Sequence, residues 1–205
     1  IGVDVRGRSR TLRVNYRTSH QIRTRADRLL GKAIADVDGN IDVRHGTVSV
    51  FDGPQPVIEI FNSHDDEIER IAEWLKDLYY KGVVPDEIGI FVRSENEIDR
   101  ARQAVAQSGT PSSDLNHLLA KTPGSVSVGT MHLAKGLEFK AVVVMACDDE
   151  IIPSQERISS VVDESDLREV YDTERHLLYV ACTRARDFLL VTSGDVPSEF
   201  LADLI

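Results

Sequence analysis

The chain has 205 residues, 41% hydrophobic and 28% charged, with 34 acidic against 24 basic side chains and a net charge of −10. These proportions are ordinary for a soluble globular protein. No apolar run approaches the ~20 residues of a membrane helix, and the acidic balance argues against a general nucleic-acid binder. The two cysteines, Cys147 and Cys182, lie in apolar runs without metal or disulfide-framework spacing, the pattern of reduced, buried thiols in a cytoplasmic protein. The sequence opens at Ile1-Gly2-Val3 with neither initiator methionine nor signal pattern, and is expected to be a fragment of a longer chain.

In chain order, Leu12–Val14 reads as a short strand inside an arginine-rich stretch that runs from Arg6 to Arg28 and is expected to be mostly a solvated basic face. A helix capped by Ser19 follows, with Ile22, Ala26, Leu29, Leu30 and Ala33 at helical spacing. Asp36 to Pro56, punctuated by glycine and proline, predicts turns and a minor hairpin. Val57–Phe61 is a strand by its β-branched content. Ser63 then caps an amphipathic helix carrying Ile68, Ile71, Ala72, Leu75 and Leu78, which Gly82 stops. Ile88–Val92 is the next strand, and Ser94 with Glu97 predicts a capping box for a helix through Ile98, Ala101 and Val105. Residues 110–124 carry little periodicity and read as a surface connection.

Val126–Val128 is a strand, and Ala141–Ala146 a stronger one, apolar on both faces as a central parallel strand must be. A long helix from about Leu167 to Ala185 and a last strand, Phe188–Thr192, complete the chain. Alternating helices and strands predict one α/β domain over 1–205, with a mostly parallel sheet flanked by helices.

Three segments carry chemistry. On the last long helix, Val170, Glu174, Leu177, Leu178 and Ala181 form a stripe that ends at Arg184. An arginine there is either snorkelling at a helix C-terminus or aimed into a cleft at an anion. Between Val126 and Phe139, a strand end is followed by Thr130, His132, Lys135, Gly136 and Glu138, donors suited to phosphate oxygens at a strand-to-loop junction where ligands sit. Tyr16-Arg17 pairs a flat aromatic with a bidentate phosphate donor, though a core tyrosine beside a surface arginine is the commoner arrangement.

Taken together and in order, Asn15-Tyr16-Arg17-Thr18, Gly129 to Phe139 (GTMHLAKGLEF) and Glu174 to Ala185 (ERHLLYVACTRA) resemble helicase motifs IV, V and VI of the UvrD-like (UvrD/PcrA/Rep) branch of superfamily-one DNA helicases. Ile88–Ser94 is similar to that family's strand just after motif IV. The resemblance covers essentially the whole chain. It implies the C-terminal RecA-like domain of a P-loop NTPase-type motor, in which ATP binds between this lobe and an N-terminal RecA-like domain. Tyr16 would then stack on adenine and Arg17 reach the γ-phosphate. Glu138 would bond the ribose, and Arg184 would be the arginine finger, making Arg17 and Arg184 the catalytic pair. Thr130, His132 and Lys135 would touch single-stranded DNA. Where family members insert a large helical subdomain ahead of motif V, this sequence has only the connection 110–124. His176 stands where many members have a second arginine.

The phosphate-cradling G-x-x-x-x-G-K-[ST] loop is absent; Gly31-Lys32 has Ala26 and Ala33 at the required flanking positions. Mg²⁺ is therefore expected to be held mainly by the N-terminal domain, with no metal ligands in this chain, which alone is expected to hydrolyse no ATP. Val142–Glu150 mimics a Walker B strand, but its acids are expected to be solvated bystanders. The resemblance further implies a cytoplasmic, nucleoid-associated protein with a role such as DNA repair. The alternative is a degenerate helicase half kept as a non-enzymatic protein- or nucleic-acid-binding scaffold.

Overall fold

The computed structural model describes residues 14–30, 33–35, 41–43, 48–116 and 121–205. The strands, in order, are β1 (Val14–Asn15), β2 (Ala33–Ala35), β3 (Ile41–Val43), β4 (Val48–Ser49), β5 (Val57–Ile60), β6 (Ile88–Val92), β7 (Ser112–Asp114), β8 (Val126–Thr130), β9 (Phe139–Val144) and β10 (Ala185–Ser193). The α-helices are α1 (His20–Ala26), α2 (His64–Tyr80), α3 (Ile98–Gln107), α4 (Gln155–Ser159), α5 (Glu164–Cys182) and α6 (Phe200–Leu204). Six strands form one sheet in the order β5-β10-β9-β6-β8-β7, and every pairing in it is parallel.

The centre of the sheet alternates as a strand buried on both faces requires. Val142 and Val144 of β9 face a core built with Ile22, Leu178, Ala181 and Phe200 from α1, α5 and α6. Ala141, Val143 and Met145 face the opposite core, with Ile71, Leu75 and Ala104 from α2 and α3. Two helical layers thus sandwich the sheet, and the expected α/β architecture holds.

Several boundaries differ from expectation. Helix α1 ends at Ala26 and passes into a 3-10 turn over Asp27–Leu29, so Ala33 lies in a strand rather than on the helix. Ser19 precedes α1 but makes no side-chain cap; its hydroxyl is buried without a partner, crowded by Gly53, where a β-carbon would lie 2.8 Å from Ser19 Cβ. Ser63, by contrast, does cap α2, accepting from the Asp66 amide at 3.1 Å. The predicted box at Ser94 and Glu97 is replaced by a 3-10 turn with no side-chain cap. The connection 110–124 contributes β7, which pairs in parallel with β8. Helices α4 and α6 carry too few periodic residues to be read from sequence. The strand at Leu12–Val14 is described only from Val14, and Arg6 to Arg13 and the Gly31-Lys32 pair fall outside the described residues.

Because all six strands run the same way, the sheet has two chemically distinct edges. The residues that precede β9 and β10 lie at the N-terminal edge; those that follow β6, β8, β9 and β10 lie at the C-terminal edge.

Candidate functional site

Strand register assembles the N-terminal edge. Ala185 of β10 pairs with Phe139 of β9, so Arg184 and Glu138, each one residue earlier, emerge side by side. The Phe139 amide donates to the Arg184 carbonyl at 3.0 Å and fixes that junction. The segment before α1 is tied to the same place: the Thr18 hydroxyl donates to the Thr183 carbonyl at 3.1 Å, and the Ser19 amide to the Arg186 carbonyl at 3.0 Å. Three stretches remote in sequence therefore meet. Tyr16, Arg17, Glu138 and Arg184, with Tyr179 and Thr183, line one open cleft of about 560 Å³.

The electrostatics of this cleft favour an anion. Arg184 is held by neutral oxygens, its Nε donating to the Val180 carbonyl at 3.0 Å and its Nη1 to the Leu137 carbonyl at 3.4 Å. Among the described residues no carboxylate lies within ion-pairing distance of it. Burial, and then the neighbouring charge of Arg17, push the Arg184 guanidinium below its ordinary pKa, an unfavourable situation that a bound anion would relieve. Arg17 pairs with Glu138. Both side chains are more than half exposed, so the pair is worth at most ~1 kcal/mol and can be exchanged for a phosphate. Arg23, at the rim, is neutralised by Asp27 at 2.8 Å. Two guanidiniums against one carboxylate leave a surplus positive charge. Tyr16 is 74% exposed, so its ring face is open to a planar ligand.

The remaining predicted residues stand elsewhere. Thr130 ends β8 at the C-terminal edge, opposite Val92, and lines a separate cleft of about 340 Å³ with Glu95, Arg102, Asp114 and Leu133. His132 and Lys135 are exposed on the 3-10 turn Met131–Ala134 and just after it. Burial, and then Arg93, push the His132 imidazole down, which favours its neutral form and leaves it hydrogen bonds rather than charge to offer. Gly136 adopts φ +85°, a turn that an L side chain enters only with strain. The path from Thr130 to Glu138 thus crosses one face of the sheet from edge to edge, about 13 Å along the strand direction of β6. Glu138 belongs to one site and Thr130 to the other, joined by seven intervening residues.

Sequence reasoning missed two buried networks at the C-terminal edge. Glu174, completely buried, accepts from Arg93 Nε at 2.6 Å and Nη2 at 2.7 Å, from Arg157 Nη1 at 3.0 Å and from the Ser154 amide at 3.3 Å. On the other face, Arg100 is in contact with Glu67 and lies 2.9 Å from Asp148. Asp148 also accepts from the Ser193 hydroxyl at 2.7 Å and the Gly194 amide at 2.8 Å. Asp148 is therefore not the solvated bystander its sequence context predicts: it is 4% exposed and structurally paired. The one available signal was Glu174 itself, a charge on an otherwise apolar helical stripe, which needs a buried partner. Both cysteines are buried and unbridged, as expected.

Among the described residues no cluster of three metal-ligating side chains occurs, and the cleft at Arg17 and Arg184 offers cations and hydrogen-bond donors, a set fitted to phosphate oxygens rather than to a metal ion. No described helix is long and apolar enough to cross a membrane.

A parallel six-stranded sheet sandwiched by helices, with guanidiniums at the N-terminal edge of its last strands, defines the class: an α/β domain built on one parallel sheet between two helical layers. The comparisons specify it further. Residues 110–195 match the UvrD-like helicase C-terminal domain family. It is 33% identical over 145 residues to a probable DNA helicase of Mycoplasma pneumoniae, covering 70% of this chain and 24% of that protein. Against the ATP-dependent DNA helicase PcrA of Staphylococcus aureus it is 34% identical over 96 residues, covering 42% of this chain and 12% of that protein. The chain thus spans about a quarter or less of the length of these relatives. A crystal structure described as the C-terminal domain of a possible DNA helicase from Lactobacillus plantarum superposes with a TM-score of 0.65 at 21% identity, covering 93% of this chain and 94% of that one.

Proposed function

We propose that this chain is the C-terminal motor domain, a single RecA-like lobe, of an ATP-dependent UvrD-like DNA helicase or translocase. One observation carries the reading: Tyr16, Arg17, Glu138 and Arg184, drawn from three separate segments, line one cleft with surplus positive charge. In this reading Tyr16 stacks on the adenine, Glu138 bonds the ribose, Arg17 reaches the γ-phosphate and Arg184 is the arginine finger. The phosphate loop, the acids for Mg²⁺ and the catalytic glutamate come from an N-terminal RecA-like domain. Thr130, His132 and Lys135 contact single-stranded DNA at the opposite sheet edge, and the edge-to-edge path from Thr130 to Glu138 links that strand to the nucleotide. The relatives that are named ATP-dependent DNA helicases support the reading, which also implies a cytoplasmic, nucleoid-associated protein with a role such as DNA repair.

The test is Arg184→Ala in the full-length protein. Loss of an arginine finger lowers turnover by ~10³ to 10⁵-fold in related phosphoryl transfer, so kcat for DNA-stimulated ATP hydrolysis should fall by that order while DNA affinity stays unchanged. An unaltered ATPase rate would remove Arg184 from the mechanism. The chain by itself is expected to hydrolyse no ATP.

A further inference from the structure

The buried carboxylate of Glu174 has more positive charge around it than it can neutralise. Arg93 is a bidentate partner, through Nε and Nη2, and is itself buried at 8% exposure. That pair is complete in charge and geometry. Arg157 is a second guanidinium on the same carboxylate, bound through a single nitrogen at 3.0 Å, and its side chain is 37% exposed. Glu174 is the only acid that it pairs with among the described residues, and only Nη1 is engaged in that pair. Arg157 thus brings one unbalanced positive charge to the C-terminal edge of the sheet.

Its place is fixed from both sides. Ser154 begins α4 by accepting from the Arg157 amide at 3.5 Å, while the Ser154 amide donates to Glu174. Glu174 in turn sits on α5, so the guanidinium cannot sweep the surface as a free side chain would. Arg93 follows Val92, the strand partner of Thr130, and shares the Glu174 carboxylate with Arg157, which sets Arg157 near the loop that carries Thr130 and His132. A bowl of about 530 Å³ opens beside Ser154 and Arg93, and its walls include Asp148, Asp149, Glu150, Glu156 and Asp195. A polyanion is repelled from those walls, and Arg157 does not line them.

We propose that Arg157 is an anion-binding residue that takes one phosphodiester of the single strand lying along the Thr130–His132 loop, with Glu174 as the positioning residue that presents it. This deepens the reading of the chain as a DNA-handling motor lobe and rests on it. Binding needs no rearrangement of the core, because the Arg93 bond pair keeps Glu174 satisfied while Arg157 shares itself with the phosphate.

The experiment is fluorescence anisotropy of labelled oligo-dT with the full-length protein over a range of salt concentrations, for wild type, Arg157→Ala, Arg157→Lys and Arg168→Ala. Arg168 is a control of equal charge, 77% exposed and, among the described residues, paired only with Glu164. One lost phosphate contact lowers the slope of log K against log salt by ~0.7 for a single strand. Arg157→Ala should show that loss and bind about three- to tenfold more weakly at moderate salt. Arg157→Lys should recover the slope, and Arg168→Ala should match wild type. A merely structural role would move the thermal midpoint and leave the slope alone. An unchanged slope and affinity in Arg157→Ala, or an equal change in Arg168→Ala, overturns the proposal while leaving the functional reading intact. Absence of oligo-dT binding by the wild-type protein would sink both.

Discussion

At the N-terminal edge of the sheet, Arg17 and Arg184 stand over an open cleft with one half-exposed carboxylate between them. At the C-terminal edge, Arg93 and Arg100 are buried and each is occupied by carboxylates of the fold itself. The same residue type serves opposite ends. An arginine whose charge is left incompletely answered is available to a ligand, whereas one enclosed by acids is committed to the structure. The number of carboxylates within reach, and not the exposure of the arginine alone, separates the two edges: Arg184 is only partly exposed, yet its partners are neutral carbonyls. Substitutions at Arg184 and at the enclosed Arg93 or Arg100 should therefore fail in different ways, one losing turnover and the other losing the fold.

The largest stability effect is expected at Arg100. Arg100→Leu leaves Glu67 and Asp148 buried without their cation, and breaking a buried pair in this way costs about 3–5 kcal/mol. Urea unfolding at neutral pH should record that loss. Arg184→Ala, in the same assay, removes hydrogen bonds to carbonyls and should cost no more than ~1 kcal/mol. If the two variants unfold at the same urea concentration, the distinction between the edges fails.

A smaller effect is expected at Gly194, which follows β10 and donates its amide to Asp148. A β-carbon there would overlap Arg100 Nη2 and lie 3.1 Å from Glu67 Oε2 and 3.2 Å from the His64 Cα. The guanidinium cannot swing aside without leaving its carboxylates. Gly194→Ala should therefore cost about 1–3 kcal/mol, the ordinary penalty for overpacking, again read from denaturant unfolding. Wild-type stability in this variant would show that Arg100 has room to move and that the network is looser than its distances state.

What could be read from the sequence follows the same division. Ile88–Val92 was legible to the residue because an unbroken apolar run bounded by polar residues has one reading, and β6 is buried throughout. At the N-terminal edge, Glu138 and Arg184 lie in long motifs and Tyr16-Arg17 in a short one, and their order along the chain is informative; the structure brings all four to one cleft. Strand β7 was not legible, because Ser112–Asp114 is a polar edge strand defined by its backbone pairing to β8 and offers no apolar signal. Asp148 was misread for a different reason. In Asp148-Asp149-Glu150 nothing local distinguishes the first acid, and its cation, Arg100, is 48 residues away. Local strain marks the same spot. Ala146 takes φ 56°, a left-handed conformation unusual for alanine, and its amide donates to Glu67 at 3.0 Å. Partnerships across long sequence separation decide which charges are structural, and no window of sequence contains both members.

The smallest expected effect lies in the pH dependence of the C-terminal edge. Burial pushes the Asp148 carboxyl up, but the Ser193 hydroxyl, the Arg100 guanidinium and the Gly194 amide outweigh it and hold Asp148 below the usual aspartate range. A carboxyl with a depressed folded pKa contributes stability that is present above its unfolded value, ~3.9, and is lost as pH falls through the folded value. Glu67 has the opposite sign: burial is its largest influence and Arg100 does not fully offset it, so its pKa is raised. Its contribution is present below the unfolded value, ~4.3, and is lost as pH rises through the folded one. The two carboxylates that share Arg100 therefore act in different pH windows. Asp148→Asn should flatten the acid limb of the thermal midpoint below about pH 4, because the proton uptake of one carboxyl is gone. Glu174, also held low by Arg93, retains part of that limb. The fall in stability that Glu67 causes as pH rises through its raised folded value should persist in Asp148→Asn. An acid limb as steep as that of wild type would mean that Asp148 is not the paired charge its bonds imply, and the C-terminal edge would then be less closed than the contrast with Arg184 requires.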